Sequence, residues 1–121
     1  MLKLDEIKPY KTSSSLSKII WNIVESWSMF HKRTFGEQLI RSVDSVAANI
    51  AEAEGRYFKK DKIRFLYQAR GSLTETIHWI NMAKDRKLLT HVEARTVDNL
   101  VGQLPFELNS LISSISKNLK R

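Results

Sequence analysis

Apolar residues recur at intervals of three and four along almost the whole chain, and this period limits the fold more than any other feature. Leu16, Ile19, Ile20, Ile23, Val24, Trp27 and Phe30 make one stripe. Leu39, Val43, Val46 and Ile50 make a second, widened by Ala47 and Ala51. Ile63, Leu66, Leu73, Ile77 and Ile80 make a third, and Val97, Leu100, Val101, Leu104, Leu108, Leu111, Ile112 and Ile115 a fourth. A strand would alternate its apolar positions and place them on one face with a period of two, which none of these segments does. Four stripes predict an all-α protein with helices over 14–31, 35–54, 58–87 and 91–117.

Local chemistry places the boundaries. Thr34 precedes Glu37 by three residues, and Thr90 precedes Glu93 by three. Both pairs match the capping box, in which each partner satisfies a free amide at a helix start. Gly55 follows the second stripe and suits a left-handed C-terminal cap. The connections are short, so sequential helices are expected to be antiparallel neighbours in an up-down four-helix bundle. Residues 1–13 hold Pro9 and end in a serine run, and read as an extended N-terminal arm before a bundle over 14–121. Pro105 lies inside the fourth stripe, whose phase continues past it, so one helix kinked near Pro105 is expected. Gly71 sits mid-helix beside Ala69 and Ser72, where it costs about 1 kcal/mol relative to alanine. Close approach of another helix would explain it.

With 121 residues the chain suits one domain. It has no cysteine, which excludes disulfides and thiolate metal sites and makes a reducing cytoplasm the simplest home. The opening Met1-Leu-Lys-Leu-Asp-Glu-Ile-Lys8 lacks a signal peptide's apolar run, and no apolar run approaches the roughly 18 residues of a membrane span, so no membrane partner is expected. The formal net charge of +7 favours an anionic partner.

No catalytic, metal or cofactor site emerges. Glu75-Thr-Ile-His78 is a single Glu-x-x-His, whereas a di-metal bundle needs that motif on two helices. His31 and His91 have no glutamate three residues before them. Arg86-Lys-Leu-Leu-Thr-His91 matches the loose Arg-x(4–6)-His pattern of small helical ribonucleases of the HEPN type. If Thr90 is a helix cap, however, the arginine and histidine straddle a turn, and Arg86 and Lys87 complement a helix dipole instead.

Three groups of residues remain. Arg41, Ser45, Asn49 and Glu52 form a polar line on the second helix, and Arg64, Gln68, Gly71 and Glu75 form one on the third. With Ser72, these lines suit either a solvated face or a structural polar network between helices. The stretch Gly55-Arg-Tyr-Phe-Lys-Lys-Asp-Lys-Ile-Arg64 interleaves five cations with two aromatics. Arg56, Tyr57, Lys59, Lys60, Lys62 and Arg64 are the candidate nucleic-acid contacts, because aromatic rings stack on unpaired bases. In an up-down bundle this turn joins Lys3, Lys8, Lys11, Lys117, Lys120 and Arg121 at one end, with Lys32, Arg33, Lys84, Arg86 and Lys87 at the other. Trp21, Trp79 and Met82 do not all fit on core-facing sides, and they suggest an oligomer interface.

Phe35-Gly-Glu-Gln-Leu-Ile-Arg41-Ser-Val-Asp-Ser45-Val-Ala-Ala-Asn49-Ile-Ala-Glu52 resembles the signature of the four-helix-bundle proteins encoded in 23S rRNA intervening sequences, also called S23 ribosomal protein-like. Arg64-Phe-Leu-Tyr-Gln-Ala-Arg70-Gly71-Ser72-Leu-Thr-Glu75 extends the likeness, in the same order and spacing. The sequence departs from the family at Ile40, where the first arginine of a pair is usual, at Ala47, where proline is frequent, and at Ala53, where a glycine closes the motif. The resemblance implies a homopentameric bundle without enzyme activity and a possible association with rRNA or ribosomes. A more distant likeness, to the accessory variability protein of diversity-generating retroelements, implies binding to a reverse transcriptase and nucleic acid. The expected function is therefore a non-enzymatic oligomer that binds RNA, DNA or a nucleoprotein. A protein scaffold, such as an accessory subunit of a reverse transcriptase, is the alternative, and a HEPN-like ribonuclease using Arg86 and His91 is a remote one.

Overall fold

A computed structural model describes residues 3–119. Four long helices account for most of them: α1 (Lys8–Glu25), α2 (Glu37–Gly55), α3 (Lys59–Asp85) and α4 (His91–Leu119). No strand occurs among the described residues. α1 packs on α2, α2 on α3, α3 on α4 and α4 back on α1, so the helices surround a common interior. Leu16, Ile20, Leu39, Val43, Val46, Ile50, Leu66, Val97, Leu104 and Leu108 are almost wholly buried there. These side chains all come from the four apolar stripes, and their removal from water is the main driving force for this arrangement.

The helix starts follow local rules that the periodicity does not contain. α1 begins at Lys8, so the expected arm over 1–13 is largely absent from the described residues. Leu4–Glu6 form a 3₁₀ turn, Ile7 is extended, and Pro9 lies in the first turn of α1. Proline costs nothing there, because its missing amide would have had no helical partner. Thr12 and Ser13 are buried in that first half of α1, and Ser13 Oγ donates to the Tyr10 carbonyl at 3.1 Å. A hydroxyl satisfied by its own helix can enter the core cheaply.

α1 ends at Glu25, six residues before its expected end. Trp27 then folds inward, and its indole N–H donates to the Leu88 carbonyl at 3.1 Å. Ser28 caps a single helical turn, Met29–His31, which runs into a π-helical segment, Lys32–Gly36. The expected Thr34–Glu37 capping box does not form. Residues 32–36 are already helical, and Thr34 Oγ1 donates backward to the Phe30 carbonyl at 2.8 Å. The second box does form: Thr90 N–H donates to Glu93 Oε1 at 2.9 Å, and Glu93 N–H donates to Thr90 Oγ1 at 3.1 Å.

The glycines also differ from expectation. Gly55 is the last residue of α2, and no glycine has a positive φ. The left-handed cap lies at Lys87, φ 58°, after α3. Leu88 N–H donates to the Ala83 carbonyl and Lys87 N–H to the Lys84 carbonyl, which is the Schellman pattern. Gly71 is exposed, and an added Cβ would meet nothing within 4 Å, so no helix of this chain approaches it closely. The close approach occurs at Gly36, where a Cβ would lie 2.9 Å from Val24 Cγ1. α4 continues through the exposed Pro105 as one helical segment.

Candidate nucleic-acid interface and its polar seam

The α2–α3 contact carries a polar seam. Thr76 Oγ1 donates to Ser42 Oγ at 3.0 Å within the buried part of the contact. One turn along, Ser45 and Ser72 hydroxyls are 2.9 Å apart. The residue numbers rise on α2 as they fall on α3, so these two helices run in opposite directions. Asn49 Nδ2 donates to the Ser45 carbonyl at 2.9 Å and to its hydroxyl at 3.0 Å. At the outer edge Arg41 pairs with Glu75 at 3.7 Å and also donates to Gln38. Glu75 Oε2 accepts the Trp79 indole N–H at 3.1 Å.

Of the residues expected in this network, the structure therefore joins Ser45, Asn49 and Ser72 in one group and Arg41 and Glu75 in another. Glu52 pairs with Arg56 instead, at 2.8 Å, and Gly71 supplies only a gap in the surface. The buried pair Ser42 and Thr76 was not anticipated. Its sequence signal is a small polar residue inside an apolar register: Ser42 stands three after Leu39 and four before Val46. A buried hydroxyl left without a partner costs about 1–3 kcal/mol, and each of these also reaches a carbonyl of its own helix: Ser42 Oγ that of Leu39 at 3.0 Å and Thr76 Oγ1 that of Ser72 at 2.7 Å.

The turn after α2 and the start of α3, Gly55–Arg64, sort their five cations into two kinds. Arg56 and Arg64 both lie over the Phe65 ring, with guanidinium carbons 4.6 and 4.5 Å from its centroid. Arg56 is also held by Glu52, and Arg64 approaches Asp61 at 3.5 Å. Lys62 Nζ donates to the Ala53 and Glu54 carbonyls at 3.3 and 3.0 Å, closing the last turn of α2. Lysine is favoured there because those carbonyls form the negative end of the helix dipole. Lys59 and Lys60 are exposed, with no ion pair or hydrogen bond among the described residues. Beside them Tyr57 is 87% exposed and Phe58 64%, their rings perpendicular with centroids 5.0 Å apart.

Other basic residues are more dispersed. Lys84 pairs with Asp98 at 2.7 Å, and Arg86 lies over Phe35 at 5.1 Å. His91 opens α4 and is exposed, so the Arg86–His91 pattern spans a capped turn. Lys120 and Arg121 lie outside the described residues. Among the described residues no group of three histidine, aspartate or glutamate side chains is placed to hold a metal. Among the described residues no helix is long and apolar enough to cross a membrane.

A second surface lies between α1, the π-helical segment and the start of α2. It is a groove of about 460 Å³ lined by Trp21, Val24, Glu25, Met29, Lys32, Arg33, Glu37 and Ile40. Trp21 is 53% exposed on its wall. Trp79 faces inward: it packs against the core, stacks on Phe35 with centroids 6.3 Å apart and bonds Glu75. Met82 is half-buried. Of the three residues expected at an interface, Trp21 is the one that stands on the surface.

Fold and surface together define a helical bundle with a hydrogen-bonded α2–α3 seam and exposed cationic and aromatic residues at the turn beyond it. The family described as 23S rRNA-intervening sequence protein matches residues 5–110, and the chain belongs to that family. Its structure is similar to the crystal structure of a protein of unknown function from the S23 ribosomal protein family of Bacteroides thetaiotaomicron. The two are 24% identical, with a TM-score of 0.75, and the similarity covers 86% of this chain and 97% of that chain. Among curated proteins no significant match is found.

Proposed function

We propose that this protein is a non-enzymatic, self-associating bundle that binds nucleic acid or a nucleoprotein through the cationic turn between α2 and α3. The observation that carries the reading is the pair Lys59 and Lys60. They stand exposed in the first turn of α3 without a bonded acid, in a chain of net charge +7. Phosphates are the natural partner of such ammonium groups. Membership of a family named for an rRNA intervening sequence supports RNA as the nucleic acid. A mobility-shift titration at about 50 and 200 mM salt tests it, since phosphate contacts make affinity fall as salt rises. Failure to bind RNA or DNA at the lower salt discards the reading.

Self-association is supported by the groove beside Trp21. A half-exposed tryptophan sharing a groove with exposed Met29 and with Ile40 is a larger apolar surface than scattered single residues present. A pentamer is the assembly proposed, and light scattering measures it. The same groove supports a protein scaffold as second reading. A pull-down repeated after nuclease treatment separates the two, because an RNA-bridged partner is then lost.

A further inference from the structure

Nucleic acid presents itself in two physically different forms, and the α2–α3 turn is built for one of them. Five cations occur between Arg56 and Arg64, but three are already engaged. Arg56 and Arg64 are drawn onto Phe65 and onto acids, and Lys62 is spent on the α2 carbonyls. Among the described residues, Lys59 and Lys60 are the two of the five that face solvent without such a partner. What the turn offers in quantity is aromatic surface. Tyr57 and Phe58 project from it, perpendicular to one another, so that each ring presents a face the other does not cover.

Duplexes bury the faces of their bases and present edges and phosphates, which two lysines engage only weakly. A single strand exposes base faces, and every base has one. We propose that the turn grips unpaired nucleotides, with bases stacked on Tyr57 and Phe58 and the neighbouring phosphates held by Lys59 and Lys60. This rests on the nucleic-acid reading above and narrows it to single-stranded segments, whether RNA or DNA. The charge balance favours this occupant over a protein: the groove beside Trp21 is lined by two acids, Glu25 and Glu37, and two cations, Lys32 and Arg33, whereas the stretch Gly55–Arg64 carries five cations and one acid.

The test is fluorescence anisotropy of the full chain with labelled single-stranded RNA and DNA of about 12 nucleotides, and with a duplex of equal length, at about 50 and 200 mM salt. Single strands are expected to bind about tenfold or more tightly than the duplex. RNA and DNA are expected to bind comparably, because neither stacking nor charge reads the 2′-hydroxyl; a preference for one names the source and leaves the grip standing. Tyr57→Ala with Phe58→Ala is expected to weaken single-strand binding about tenfold or more while the duplex is unaffected, and Tyr57→Trp is expected to preserve binding. Two phosphate contacts per bundle predict a loss of about sevenfold between the two salts, against about 130-fold for five.

Equal binding of duplex and single strand overturns the inference. So does a double alanine variant of unchanged affinity when Lys59→Ala with Lys60→Ala weakens binding; either result leaves the nucleic-acid reading intact. Absence of binding to all probes at the lower salt removes both. An alanine variant whose assembly mass changes while its nucleic-acid affinity does not assigns the aromatic pair to a protein contact, and also overturns the inference. Both aromatic side chains lie on the surface, so circular dichroism is expected to show an unchanged fold.

Discussion

Of the surfaces on which this bundle exposes aromatic side chains, the α2–α3 turn and the α1–α2 groove are set apart by their charges. At the α2–α3 turn Tyr57 and Phe58 stand beside two lysines to which no acid is bonded. At the α1–α2 groove Trp21 and Met29 stand among two cations and two acids. Apolar exposure alone would make them equivalent. The counter-charges separate them: unbalanced ammonium groups suit a polyanion, whereas a charge-neutral apolar groove suits another protein surface. The difference arises because the acids near the turn pair with its arginines. Glu52 and Asp61 hold Arg56 and Arg64, which leaves Lys59 and Lys60 without a match.

Reversing charge at the turn is expected to have the largest effect. Lys59→Glu with Lys60→Glu should lower nucleic-acid affinity about 100-fold at low salt and leave the assembly mass unchanged, as read by mobility shift and light scattering. Equal loss of both properties would show that the two surfaces are one. Gly36→Ala should destabilise the fold by about 1–3 kcal/mol in chemical denaturation. Its Cβ would press on Val24 Cγ1 at 2.9 Å and lie 3.3 Å from the His31 carbonyl, disturbing the groove floor and self-association but not the turn.

Trp21→Glu should raise the dissociation constant of the assembly about tenfold or more. The unfolding free energy of the separated chain should change by no more than about 0.5 kcal/mol, because the site is at the surface. The smallest effect is expected outside both regions. Gly71→Ala should stabilise by about 1 kcal/mol, since an added Cβ meets nothing in this chain. Destabilisation there would place a second copy against α3 and enlarge the interface beyond the groove.

Much of the fold was legible, and particular residues show why. A stripe such as Leu39, Val43, Val46 and Ile50 repeats one local relation many times, so a single exception does not hide it. The Thr90–Glu93 box was legible because its partners are three residues apart and no helix precedes them to compete. The Thr34–Glu37 pair has the same spacing and failed, because the chain before it was already wound into a π-helical segment. Gly55 looked like a left-handed cap and is not one, while Lys87, with a side chain that disfavours that conformation, is. The candidate site was legible as a composition and not as an arrangement: all five cations of the turn were visible, but not which of them Phe65 and the α2 carbonyls would take out of use.

The sequence by itself determined that the chain is helical, most of the side chains that form its interior (though not that Phe30 of the first stripe is exposed while Phe35 is buried), and that it carries an excess of positive charge. These follow from spacing and counting, and the physics behind them acts over one or two helical turns. Tertiary structure alone decided where α1 stops, because Trp27 finds its hydrogen-bond partner in Leu88, 61 residues away. It decided that the Ser42 and Thr76 hydroxyls, 34 residues apart, meet across α2 and α3. It also decided that Lys59 and Lys60, among the cations of their turn, face solvent with no bonded partner among the described residues. Contacts between distant residues have no local period, and the charges available to a ligand are those that the folded chain has not already used.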